Sequence, residues 1–100
     1  MLNISFSYDK IMGMGKVTRA PGQLGAEVVA IIREKMGRQR ILQADLARLT
    51  SIPQSTLSRT LDGKREIGID EVQAIGSALK TTGSELVNEA ARRLREESVN

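Results

Sequence analysis

A chain of 100 residues is one domain's worth of polypeptide, able to bury roughly two thirds of its unfolded surface around a single core. It has no His, no Cys and no Trp, which removes imidazole bases, thiolate nucleophiles, disulfides and Cys/His metal sites, and leaves carboxylates, hydroxyls, Lys and Arg for any chemistry. Fifteen basic residues against twelve acidic give a net charge of +3, a mild bias toward anionic partners, and no run approaches the roughly 18 apolar residues of a membrane span.

The first twenty residues are unlike the rest. Leu2, Ile4, Phe6 and Tyr8 alternate with Asn3, Ser5, Ser7 and Asp9, the period of a half-buried strand. Gly13, Gly15 and Pro21-Gly22 then punctuate the chain. Residues 1–21 therefore read as a non-helical extension: a frayed tail, a strand pairing with another copy, or a segment lying on the core. Lys16 and Arg19 would make it a basic arm. The Gly13-Met14-Gly15-Lys16 run fails as a phosphate loop, because the upstream glycine spacing is wrong and Val17 stands where a magnesium-binding hydroxyl is needed. No basic flank precedes an apolar segment at the N-terminus, so the chain is expected to be soluble and intracellular.

From Gly22 the period becomes helical. Leu24, Val28, Ile31, Ile32 and Met36 make the inner face of a first helix, with Gly37 placed to stop it. Leu42, Leu46, Ala47 and Leu49 line a short second helix ending near Thr50-Ser51. Pro53 suits the first turn of a third, where its missing N–H costs nothing; Leu57 and Leu61 give that helix its inner face and Asp62-Gly63 ends it. A fourth carries Ile69, Val72, Ile75, Ala78 and Leu79 inside, with Asp70 and Glu71 in the first turn, where the macrodipole favours acid. Thr82-Gly83-Ser84-Glu85 reads as a capping box for a fifth, with Leu86, Ala90 and Leu94 behind it. Leu86 is assigned to the core, and Leu94 to either the core or a dimer seam. The predicted fold is all-α, with residues 22–97 as the folded domain, because helices this short need a shared core.

The segment most informative about function is Leu42 to Arg65. A helix of about seven residues, a short turn and a second helix opening on Gln-Ser-Thr have the spacing of a helix-turn-helix. Ala47 is small where the two helices cross, Ile52 plugs the turn and Leu57 anchors the second helix, which leaves Gln54, Ser55, Ser58 and Arg59 pointing outward. Charge follows the same division. Residues 33–65 hold eight basic and three acidic residues, a net of +5, whereas residues 66–100 hold four basic and seven acidic, a net of −3. One part is built to approach an anion. Taken singly, each feature is ordinary: surface Lys and Arg mostly solvate, and small polar residues open many helices. Their conjunction is what points to nucleic acid.

At these residues the chain resembles the Cro and repressor family of temperate phages and their bacterial XRE-type relatives. The matching stretches are Gln43-x-x-Leu46-Ala47, Gln54-Ser55-Thr56-x-Ser58-Arg59, Gly63-Lys64-Arg65, and the helix from Ile69-Asp70-Glu71-Val72 to Ala78-Leu79. Three positions depart from the usual pattern. Ser51 replaces a common turn glycine, Leu42 replaces a Ser or Thr cap, and Lys80 replaces a glycine at the end of the fourth helix; the first and third imply a left-handed residue or an altered turn.

The resemblance implies a five-helix lambda-repressor-like helix-turn-helix domain with a non-helical N-terminal extension. It implies that Gln54, Ser55, Ser58 and Arg59 read base edges in the major groove, and that Gln43 and Thr56 touch phosphates. Lys64 and Arg65 would neutralise the adjacent backbone and set affinity rather than sequence. Glutamine can pair bidentately with adenine and arginine with guanine, each worth roughly 1–3 kcal/mol of discrimination. The expected protein is a sequence-specific double-stranded DNA-binding regulator, a phage-type immunity repressor that occupies an operator as two copies, paired in solution or on the DNA. It would work without cofactor, metal or catalytic residue, in the bacterial cytoplasm or nucleoid, encoded by a phage or prophage. A competing expectation is an antitoxin or adaptor that chiefly binds a protein partner through residues 1–20 by edge addition.

Overall fold

The computed structural model describes residues 22–99. The strand-like run at residues 2–8, the Gly13-Met14-Gly15-Lys16 run and the basic arm at Lys16 and Arg19 lie outside the described residues. Five helices follow: α1 (Gln23–Gln39), α2 (Gln43–Thr50), α3 (Gln54–Leu61), α4 (Ile69–Ala78) and α5 (Gly83–Val99), with no strand among the described residues. The fold is all-α, as the periodicity predicts.

The long terminal helices form the spine. α1 lies along α5, α4 packs on both α5 and α2, and α3 rests on α2 and α1. Ile31, Ile32, Leu46, Leu57, Ile75, Leu79, Leu86 and Ala90 meet in one buried core, with Ile41, Ala47, Ile52 and Val87 packed against it. Each fully buried Leu or Ile contributes roughly 1.5–3 kcal/mol. Helices of eight residues such as α2 and α3 depend on that shared burial. Leu86 is fully buried and Leu94 half-buried.

Four expected core residues are exposed instead: Leu24, Leu42, Leu49 and Ile69. Leu24 stands one turn ahead of Val28, the first buried residue of α1. On α2 the inner stripe runs through Leu46, Ala47 and Thr50, and at about 100° per residue this leaves Leu49 roughly 100° round the helix, while Leu42 precedes the helix as its extended N-cap. Ile69 opens α4 one turn before Gln73, where α5 crosses, and sits on the lip of an open groove of about 620 Å³ shared with Val72 and Val87.

Two helix ends also differ from expectation. Gly37 lies inside α1, and the left-handed residue that ends the helix is Arg40, φ 58°. Ile41 N–H reaches back to Met36 C=O at 2.9 Å and Arg40 N–H to Gly37 C=O at 3.3 Å. A helix stopped at Gly37 would place charged Arg38 where the reversed chain meets the core; stopping at Arg40 places Ile41 there. Pro53 lies one position earlier than expected, outside α3 as its N-cap.

The three departures resolve locally. Ser51 and Lys80 are both left-handed, φ 64° and 66°. Leu42 has no side-chain oxygen to offer, and the start of α2 is held from the other direction: Asp45 Oδ2 accepts the Leu42 N–H at 3.1 Å. Thr82 Oγ1 accepts the Glu85 N–H at 3.0 Å, the forward half of the expected capping box. Where α4 meets α5, a Cβ on Gly76 would come 2.5 Å from the Thr82 carbonyl carbon, and one on Gly83 would come 2.9 Å from Gln73 Cα. The crossing exists because neither residue has a side chain.

Candidate nucleic-acid interface

The helix-turn-helix consists of α2, the turn 51–53 and α3. Its turn is held by one hydroxyl: Thr50 Oγ1 donates to Leu46 C=O at 2.7 Å and accepts the Ile52 N–H at 3.3 Å. Ser51, left-handed, sends its N–H to Ala47 C=O at 2.8 Å. Ile52 then turns into the core edge as expected.

On α3 the inner face is Leu57, Thr60 and Leu61, all buried. Gln54, Ser55 and Arg59 are exposed and Ser58 is half-buried. At about 100° per residue these four occupy a continuous arc of roughly 140° on the side of α3 away from the core. The structure thus gathers the four expected base readers on one face of one helix. Thr56 is half-buried at its flank, and Gln43, also half-buried, shares a recess of about 170 Å³ with Arg33, Met36 and Leu61.

The electrostatics of this region come from what is left unpaired. Each acid in the basic stretch is already engaged. Asp45 binds Arg48 at 3.3 Å, Asp62 lies 4.0 Å from Arg33, and Glu34 binds Arg93 at 2.9 Å with Arg38 at 3.8 Å. Arg40, Arg59 and Lys64 are exposed and form no ion pair with any described residue. Lys64 follows the end of α3, where Gly63 takes φ 77° and Lys64 N–H bonds Arg59 C=O at 2.9 Å.

Arg65 has different surroundings. Half-buried, it directs Nη1 to Thr60 Oγ1 at 2.6 Å and to the Glu71 carboxylate at 3.1 and 3.2 Å. Thr60 and Glu71, which hold Arg65, and Arg33, which donates to Leu61 C=O at 2.6 Å, are polar neighbours of α3 that are not among the expected DNA-contacting residues. Thr60 carried a readable signal: it is a polar residue next to Leu61 on the same inner stripe as Leu57. Arg33, 28 positions from Leu61, carried none. Among the described residues no group of His, Cys, Asp and Glu has metal-binding spacing, and no helix is long and apolar enough to cross a membrane.

Residues 32–89 match the model of the Cro/C1-type HTH DNA-binding domain. Neither the curated proteins nor the solved structures offer a match to the chain.

Proposed function

The chain belongs to the Cro/C1-type helix-turn-helix DNA-binding family, and from that membership we propose that it is a sequence-specific transcriptional regulator, a phage-type immunity repressor acting by occupancy of operator DNA. One observation carries the reading: α3 presents Gln54, Ser55, Ser58 and Arg59 on a single outward face, with Arg59 and Lys64 exposed and in no ion pair with any described residue. A phosphate backbone supplies an anion for these cations, and the major groove admits a helix of this width.

In this proposal Gln54, Ser55, Ser58 and Arg59 contact base edges, with Arg59 bidentate on a guanine. Gln43, Thr56 and Lys64 contact phosphates and fix register without reading sequence. So short a reader makes few base contacts per copy, so two copies bind a pseudo-palindrome about one helical turn apart. Residues 22–97 are the DNA-binding domain and residues 1–21 an extension outside it. The protein acts in the bacterial cytoplasm or nucleoid, encoded by a phage or prophage.

Selection of bound sequences from a random duplex pool tests this directly, and the expected product is one symmetric motif. Against that motif, Arg59→Ala lowers affinity by about 1–3 kcal/mol and relaxes preference at one base pair. Lys64→Ala weakens every sequence alike and reduces the salt slope by about one. Recovery of no enriched motif, or equal loss on selected and random DNA for Arg59→Ala, contradicts the assignment.

A further inference from the structure

Arg65 stands next to Lys64 in the sequence and is expected beside it on the phosphate backbone, but its hydrogen bonds run inward. Nη1 donates to Thr60 Oγ1 at 2.6 Å and to both oxygens of Glu71 at 3.1 and 3.2 Å. The Arg65 and Glu71 side chains keep only 26% and 22% of their exposure. Thr60, itself 2% exposed, donates its hydroxyl to Thr56 C=O at 3.0 Å. Glu71 is fixed from its other side, since Oε1 accepts the Gly68 N–H at 2.8 Å at the start of α4. The result is a continuous polar chain from the first turn of α4 through Arg65 and Thr60 to the backbone of Thr56, in the middle of α3.

We propose that Arg65, with Glu71 behind it, is a positioning residue for DNA reading: it sets the roll of α3 about its own axis and so aims Gln54, Ser55, Ser58 and Arg59. The inference rests on the DNA-binding reading above. The physical case is one of leverage. α3 is eight residues long, and its apolar anchors Leu57 and Leu61 resist lifting away from the core more than rotation. A helix with side chains is roughly 5–6 Å in radius, so a roll of about 10° displaces its surface by about 1 Å. Directional polar contacts tolerate about half that displacement. A charge-assisted bond from a rigid guanidinium to a buried hydroxyl on the inner face supplies the angular restraint that apolar packing lacks.

The test separates this role from phosphate contact. Arg65→Lys keeps the cation but loses the planar fork. Glu71→Gln removes the charge partner while retaining an oxygen that can accept the Gly68 N–H. On the duplex that the wild-type protein selects, each substitution is expected to weaken binding by about tenfold. Random-duplex affinity and the salt slope stay at wild-type values, and the double variant is no worse than either single one. If Arg65→Lys binds the selected duplex as the wild type does, or if Glu71→Gln tightens binding to all DNA alike, the positioning role is overturned and Arg65 is a backbone contact. Amide hydrogen exchange without DNA gives an independent readout. Both variants are expected to speed exchange at Thr60, Leu61 and Asp62 by about tenfold with α1 unchanged, and unchanged exchange there also overturns the proposal. If the wild-type protein selects no duplex, the functional reading fails, and the exchange result alone still decides whether Arg65 restrains α3.

Discussion

Two regions of the molecule use the same side chains in opposite ways. Along the α1–α5 spine, Arg93 is surrounded by acid: Glu34 at 2.9 Å, Glu89 at 2.9 Å and Glu27 at 3.5 Å. Around α2 and α3 the acids are engaged by neighbouring arginines, and Arg59 and Lys64 form no ion pair with any described residue. Net charge hides this difference. A cation facing three fixed carboxylates joins two helices, whereas one facing only solvent is available to a mobile anion. Placement adds to it, because Arg59 lies in the last turn of α3, where the helix dipole favours a cation before any ligand arrives. The spine is a region where substitutions should alter stability; the helix-turn-helix is one where they should alter binding.

The largest expected effect breaks the spine side. Gly76→Ala places a methyl group 2.5–2.8 Å from backbone atoms of Thr82 and Gly83, which cannot move aside as a flexible side chain would, and should cost about 3 kcal/mol of stability in urea unfolding. DNA affinity of the fraction that remains folded should be unchanged. An unaltered urea midpoint would mean that α4 and α5 do not need this close approach.

A smaller effect is expected at Arg93, whose ion pairs are only partly shielded from solvent. Arg93→Met should lower stability at neutral pH by at most about 1 kcal/mol. Its pH dependence is the more telling measurement. The hydrogen bond from Arg93 holds the Glu34 carboxyl below its ordinary value of 4.5. A group depressed on folding stabilises fully above its unfolded value and loses that contribution as pH falls through the folded one. Melting temperatures of wild type and Arg93→Met should therefore differ above about pH 4.5 and converge below it. Curves that stay parallel down to pH 3 would show that the cluster does not hold the spine together electrostatically.

The smallest effect sharpens the comparison by leaving binding alone. Lys80 closes α4 at φ 66°, a region in which a side chain is strained and glycine is not. Lys80→Gly should raise stability by about 0.5 kcal/mol in urea unfolding, after allowance for the extra freedom of glycine in the unfolded chain, with DNA affinity unchanged. A loss of stability would indicate that the aliphatic part of Lys80 contributes packing.

The helices were legible because Val28, Ile31, Ile32, Leu57, Leu61, Ile75 and Leu86 repeat at helical spacing and all lie in the core. Stripe edges were less legible. Leu42 and Leu49 are as apolar as Leu46, and only the crossing of α2 with its neighbours decides which leucine is covered. Gly37 reads as a stop because glycine is favoured just past a helix end, but the core contact of Ile41 sets where α1 ends. The outward face of α3 could be read from spacing because base-facing and core-facing residues exclude one another round a single helix. The inward bonds of Arg65 could not. An arginine following Gly63-Lys64 looks solvent-facing until the fold brings Thr60 and Glu71 to it from either side.

The spine also sets when the fold is completed. Arg93 meets Glu34 and Glu27 across 59 and 66 positions of chain, whereas α2, α3 and α4 are successive helices whose contacts close over short loops. During synthesis the helix-turn-helix leaves the ribosome well before the part of α5 that covers α1. A nascent chain therefore carries every proposed DNA contact before α1 has its full packing against α5, and the core that α1 shares with α3 is completed only when the second half of α5 folds back onto it.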